Sequence, residues 1–258
     1  TRSNSRNATA SEPPSEKGTR TRSADGEKMS VAVVTCQLRF SAVAMASTAL
    51  AIPCAWWQAV QTALDALEMR RKVSPAVWPV PAGPALAKRG FVVISVDACC
   101  FGERNGKGPG GEAEKNGAGE WSASKFNLWV GRTLWGMMLR DDLMALDYLC
   151  SRPEVDTVRI GVTGISMGAT RTWWLMALDE RLKTGVAVCC LTRYRDLIAA
   201  ENLRAHGIYY FVPDLLTRFD TEAVVALLAP RPALFMNGDQ DAGSPVDGIR
   251  AIDTAVRP

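Results

Sequence analysis

A chain of 258 residues with 47% apolar and 22% charged side chains is long enough to bury a full core and has the balance of a globular domain, not of a disordered or fibrous chain. The net charge of +3 is unevenly spread, with twelve Lys/Arg against six Asp/Glu in residues 1–90 and eighteen against twenty-one in residues 91–258. The body is therefore mildly acidic and carries no basic stripe, which excludes nucleic-acid binding as the main activity.

Residues 1–28 are rich in Ser, Thr, Arg and Glu, contain Pro13-Pro14 and lack apolar periodicity, so disorder is expected there. Residues 40–64 are uncharged, but they are Ala/Ser/Thr-rich, broken by Pro53 and too far from residue 1 for a signal peptide. Neither a membrane span nor a leader is expected, and a cytoplasmic location is favoured over export. Pro75, Pro79, Pro81 and Pro84 crowd the next stretch, which reads as no definite element. A boundary near residue 84 follows, with residues 1–84 an atypical, partly disordered front segment and residues 85–258 a partial α/β domain.

Beyond that boundary the pattern becomes regular. A helix end over 85–90 stops at Gly90, and the apolar run over 91–96, ending at Asp97, has the form of a buried parallel strand. Residues 102–125 are Gly- and charge-rich and are expected to form a surface loop near the mouth of a site. Gly106-Lys107-Gly108 lacks the spacing of a phosphate loop. Trp135, Leu139, Leu143, Leu146 and Cys150 recur at spacings of three and four, predicting one long helix over 127–150 with Asp141 and Asp142 solvated or ion-paired. Strands are expected over 184–190 and 233–236, helices over 221–228 and 246–256, and irregular chain over 191–220, where the segment 207–213 with Tyr209-Tyr210-Phe211 could cover a site. Seven cysteines, including the adjacent pairs Cys99-Cys100 and Cys189-Cys190, form neither a CxxC zinc pattern nor a disulfide framework and read as buried free thiols.

The stretch from Arg159 to Thr170 organises the rest. An apolar β-branched run enters Gly164-Ile165-Ser166-Met167-Gly168, and a helical pattern leaves it, which is the strand–turn–helix context of a nucleophile elbow. Gly164 and Gly168 let strand and helix pass closely. In a parallel sheet the carboxyl ends of the strands share one edge, and Ser166, Asp97 and Asp241 all fall at such ends. A serine hydroxyl needs an imidazole to take its proton, and the imidazole needs a carboxylate to orient it. Asp241 is the preferred carboxylate, Asp239 the alternative, and Asp97 is read as structural. The amide of Met167 is the expected oxyanion donor.

The combination of Arg89-Gly90-Phe91-Val92-Val93, Asp97, Gly102-Glu103-Arg104, Gly164-x-Ser166-x-Gly168, Ala229-Pro230-Arg231-Pro232 and Gly238-x-x-Asp241 resembles the dienelactone-hydrolase and acetylxylan-esterase-like branch of the α/β-hydrolase superfamily. The resemblance covers about two-thirds of the chain, residues 85–256. It implies a mostly parallel sheet with helices on both faces. It also implies hydrolysis of a small-molecule ester, or less often a peptide, through a serine acyl-enzyme without metal or organic cofactor. True dienelactone hydrolases use cysteine, so Ser166 points to the esterase side. The family's histidine follows the acid, whereas the single histidine here, His206, precedes Asp241. His206 is either a residue shaping the pocket wall or a displaced triad base. The family's upstream His-Gly-type oxyanion loop is also absent from residues 60–84. The resulting expectation is a fragment, or the product of a disrupted reading frame, that lacks the last strand and histidine loop. Such a chain is an impaired serine ester hydrolase or a non-catalytic binding scaffold of the same fold, with a serine peptidase as the further alternative.

Overall fold

The computed structural model describes residues 29–35, 82–114 and 118–257. The expectations for residues 1–28, 40–64 and 65–81 lie outside them. Five strands, β1 (Met29–Thr35), β2 (Val92–Ile94), β3 (Val155–Ile165), β4 (Leu182–Val188) and β5 (Ala233–Met236), form one sheet in the order β2-β1-β3-β4-β5. Every neighbouring pair is parallel. Eight helices accompany them among the described residues: α1 (Ala82–Ala87), α2 (Ala118–Trp129), α3 (Leu134–Cys150), α4 (Met167–Leu178), α5 (Tyr194–Ala199), α6 (Leu215–Arg218), α7 (Thr221–Ala226) and α8 (Val246–Val256).

The central strands show why the sheet is covered on both faces. Residues 184–188 of β4 are all buried, with no alternation, as are Ile160, Gly161 and Val162 of β3. Ile160, Val162 and Ala187 cluster with Leu146 and Leu149 of α3, Trp173, Leu175 and Met176 of α4, Val224 and Val225 of α7, and Ile252 of α8, while Val186 and Val188 cluster with Leu234 and Met236 of β5. At Gly185 a Cβ would lie 2.3 Å from Met176 Sδ and 3.2 Å from Thr172 Cγ2, so glycine is what lets α4 settle onto β4.

Three expectations are corrected, the first being that residues 191–220, read as irregular, carry the short helices α5 and α6. The predicted helix over 127–150 is two helices, because Gly131 takes φ +69° and Thr133 caps α3 by accepting the Gly136 amide. The predicted loop over 102–125 turns helical at Ala118. Helix α2 hid itself because its inward face carries Glu120, Ser124 and Asn127, whereas Trp121, Phe126, Leu128 and Trp129 are exposed. An apolar stripe is the signal that periodicity detects, and α2 has none on its buried side.

Strand β1 had no counterpart in the sequence reading. Val31-Ala32-Val33 pairs with residues 92–94 on one side and Ile160, Gly161 and Val162 on the other. The sheet thus takes its second strand from residues ahead of position 84.

The Asp142 carboxylate and the Arg171 guanidinium join α3 to α4 by a bidentate ion pair, with Nε to Oδ2 at 2.8 Å and Nη2 to Oδ1 as the second bond. Both side chains are 1% exposed. Burial pushes the Asp142 carboxyl up, and Arg171 opposes it. The ion-paired expectation for Asp141 and Asp142 holds, since Asp141 meets Arg104 at 2.5 Å.

Candidate active site

Ser166 sits between the last residue of β3 and the first of α4 with φ +56° and ψ −120°, a backbone conformation that L-residues rarely adopt. Three hydrogen bonds hold it there. Its amide donates to the Val188 carbonyl at 2.9 Å, and its carbonyl accepts from the amides of Ala169 and Thr170 at 2.9 and 3.2 Å. The elbow is thus fastened to β4 on one side and to its own helix on the other. The Met167 amide, at the first turn of α4, has no acceptor among the described residues. Unpaired amides at a helix start favour an approaching anion.

The Ser166 Oγ contacts Cys190 Sγ at 3.7 Å. Cys189 and Cys190 follow β4 with φ +66° and +57°, so this loop turns back over the elbow. Burial pushes the Cys190 thiol up to about 12, which keeps it protonated and leaves it a weak donor beside the serine. The negative charge of Asp241 also raises it. Cys190 therefore touches the candidate nucleophile and lies within the electrostatic reach of the candidate acid.

Asp241 lies in the loop after β5, half-buried, with Oδ1 accepting the Gly243 amide at 2.9 Å and its carbonyl accepting the Ser244 amide. Asp239 is exposed. Asp97 closes a different loop, its Oδ2 accepting the Glu103 amide at 2.9 Å while Arg104 reaches its carbonyl at 3.3 Å. Gly102, at φ +53°, would place a Cβ 2.1 Å from that carboxylate, so the Asp97 turn requires glycine.

His206 stands beside the Asp241 loop. Its Nε2 donates to the Gly243 carbonyl at 2.6 Å and lies 3.4 Å from Thr192 Oγ1. Burial lowers the imidazole's proton affinity more than the Gly243 carbonyl and Asp241 raise it. A neutral ring that donates through Nε2 carries its lone pair on Nδ1. The ring stacks on Tyr210 at 4.7 Å, and the Tyr210 hydroxyl meets Thr170 Oγ1 at 3.0 Å and the Cys190 carbonyl at 3.5 Å. Histidine and elbow are thus joined through Tyr210, while the serine hydroxyl itself rests on Cys190.

Thr192, Cys190 and Gly243 were not singled out as site-forming by the sequence. The only prior signals were the Cys189-Cys190 pair at a strand end and the aromatic run at 209–211.

The family model described as "Abhydrolase family" matches residues 79–251. The chain belongs to this family. This Abhydrolase chain is also 39% identical over 168 residues to "Putative hydrolase YtaP" of Bacillus subtilis, an alignment that takes 65% of this chain and 52% of the relative. It spans about half the length of that curated relative. Among solved structures, a glucuronoyl esterase from Solibacter usitatus is similar with a TM-score of 0.53 and 14% identity, over 90% of this chain and 62% of that one. An acylaminoacyl peptidase from Pyrococcus horikoshii is similar with a TM-score of 0.52 and 15% identity, over 91% of this chain and 31% of the other. Both likenesses concern the α/β-hydrolase fold. Among the described residues, no helix is long and apolar enough to cross a membrane, and no group of three or more His, Cys, Asp or Glu is placed to hold a metal ion.

Proposed function

We propose that this Abhydrolase chain carries the nucleophile and acid of a carboxylic ester hydrolase acting on a small-molecule ester, with Ser166 as nucleophile. The observation that carries the reading is the Ser166 backbone, a strained left-handed conformation in a non-glycine residue at the junction of a buried parallel strand and a helix start. Strain of this kind persists where the surroundings over-determine it, and here β4 and α4 do so. Attack by the Ser166 Oγ on an ester carbonyl would place the developing oxyanion near the Met167 amide. One such donor contributes about 10²–10³ in rate in other enzymes.

Asp241 would orient His206 through Gly243, whose amide it accepts and whose carbonyl takes the Nε2 proton, and His206 would accept the serine proton through Nδ1. His206 precedes the acid in the chain, but triads are defined by geometry and role, not by order. The contact between Ser166 and Cys190 favours a second reading, a scaffold of the same fold that binds an ester without turning it over. The ring would have to approach the hydroxyl in the Michaelis complex, as catalytic hydrogen bonds often tighten only there.

An activated acetyl ester and a serine-directed phosphonate separate the two. The ester hydrolase reading expects stoichiometric phosphonate labelling, lost in Ser166→Ala, and turnover that falls by about 10³-fold or more in His206→Ala. Labelling and an acyl burst without turnover would mean that Ser166 acylates but that His206 does not activate water to release the acyl group. No labelling of the folded chain would favour the scaffold.

A further inference from the structure

The site does not use a second group of reactive side chains at the carboxyl end of β2. Cys99 and Cys100 are adjacent in sequence, with Sγ atoms 3.9 Å apart and the Cys100 thiol donating to Cys99. Cys100 takes φ +74°, a conformation that turns both thiols into the same space. Cys99 is partly buried and still reaches solvent, whereas Cys100 is 4% exposed. The start of α2 closes over the buried thiol, and a Cβ on Gly119 would lie 3.7 Å from Cys100 Sγ. The next residue, Glu120, is 6% exposed, and its Oε1 has no hydrogen-bond partner among the described residues.

The charges around the pair favour one order of reaction. The hydrogen bond from Cys100 and the Arg104 cation pull the Cys99 thiol down to about 6, against its burial and the Asp141 carboxylate. Burial and the negative charge of Cys99 push the Glu120 carboxyl up to about 7, so it exchanges a proton near neutral pH. The Cys100 thiol is pushed up by its bond to Cys99, by burial and by Glu120. These influences favour the outer sulfur as the thiolate and the inner one as the thiol, with the Glu120 carboxyl on the segment that covers them.

We propose that Cys99 and Cys100 form a thiol–disulfide exchange site for low-molecular-weight disulfides, with Cys99 attacking, Cys100 resolving and Glu120 taking the resolving thiol's proton. With glutathione disulfide as oxidant, the Cys99 thiolate attacks one glutathione sulfur, forming a mixed disulfide and releasing a glutathione thiolate. The Cys100 proton passes to Glu120, and the Cys100 thiolate attacks Cys99 Sγ. That step forms the Cys99–Cys100 bond and releases the second glutathione thiolate. The cysteines lose two electrons and glutathione disulfide gains them. The sulfurs approach by about 1.9 Å to reach a bonded distance near 2.05 Å. Cys100 shares its apolar cluster with Met167 and Tyr210, so the pair adjoins the candidate site without depending on its activity.

The test uses the reduced full chain exposed to glutathione disulfide, quenched with acid and digested with trypsin. Residues 90–104 leave as one peptide containing these two cysteines and no others. The expected product is that peptide two hydrogens lighter. Cys100→Ser should accumulate a glutathione adduct on Cys99, Cys99→Ser should acquire none on Cys100, and Glu120→Gln should keep the mixed disulfide alive tenfold longer or more, as for loss of a general base. A wild-type peptide that keeps both thiols, or carries glutathione without the internal bond, overturns the proposal. So does equal glutathione uptake by the two folded serine variants. If the variants fail to fold, the wild-type peptide decides alone.

Discussion

Replacing Ser166 by alanine and by glycine separates the strain at the elbow from the chemistry of its hydroxyl. Both substitutions remove Oγ and its contact with Cys190, so they differ only in the Cβ. Alanine must still adopt φ +56° and ψ −120°, because the bonds to Val188, Ala169 and Thr170 hold the backbone there. A non-glycine residue in such a region costs about 1–3 kcal/mol, and glycine recovers that cost while losing about 0.5–1 kcal/mol to its larger unfolded-state freedom. Ser166→Gly should therefore be more stable than Ser166→Ala, by about 1 kcal/mol at mid-range and at most about 2.5 kcal/mol. Urea unfolding of the two variants, with equal m-values, measures the difference as a shift in midpoint. Both variants should fail to react with a serine-directed phosphonate. An alanine variant as stable as the glycine variant would mean that position 166 is unstrained, and the nucleophile assignment would lose its main support.

Three further outcomes follow from buried groups. Asp142→Ala leaves the Arg171 guanidinium unpaired at 1% exposure and should cost about 3–5 kcal/mol, read by the same unfolding assay; replacing both partners by apolar residues should cost much less. Glu120 has a folded pKa raised to about 7, so its contribution is fully present below the ordinary carboxylate range and is lost as pH rises through 7. Glu120→Gln should gain on the wild type by about 2–3 kcal/mol between pH 5 and pH 8, and a pH-independent difference would refute the buried titration. Gly185→Ala presses a methyl against Met176 and Thr172 and should destabilise by about 1–3 kcal/mol, with partial recovery in the double variant Gly185→Ala/Met176→Ala.

The parts of the fold that were legible in the sequence are those whose burial is apolar. Strands β3, β4 and β5 and helices α4 and α8 announce themselves because large apolar residues recur among their buried positions, such as Ile160 and Val162, Val186 and Val188, Leu234 and Met236, Trp173 and Met176, and Ile252. Helix α2 has the opposite arrangement, with Glu120, Ser124 and Asn127 inward and Trp129 88% exposed, so no scale of hydrophobicity finds it. Strand β1 spans seven residues in a front segment otherwise read as irregular, and a single short apolar run carries little local signal until its partners on both sides are known. The structural reading of Asp97 was legible for a chemical reason, since a carboxylate followed by a tight glycine turn has local amides to accept.

The site was legible as positions and not as contacts. Parallel strands put Ser166 and Asp241 on one edge, but the residues that surround them arrive by closures between loops that sequence order does not reveal. Thr192 and Ser244, 52 positions apart, share a 2.9 Å hydrogen bond, and Thr192 also donates to the Gly243 carbonyl at 2.9 Å. Asn202 Nδ2 donates to the Ala242 carbonyl at 2.7 Å, and His206 Nε2 to the Gly243 carbonyl. These bonds bring the segment ahead of β5 against the loop after it, which is why a histidine that precedes the acid in the chain still lies beside it in space. The same segment carries Tyr210, whose hydroxyl touches Thr170 one turn into the elbow helix. Histidine, acid loop and nucleophile helix therefore form one connected polar unit, and a displacement of His206 toward Ser166 has to break the Gly243 bond while Tyr210 keeps the ring against the elbow.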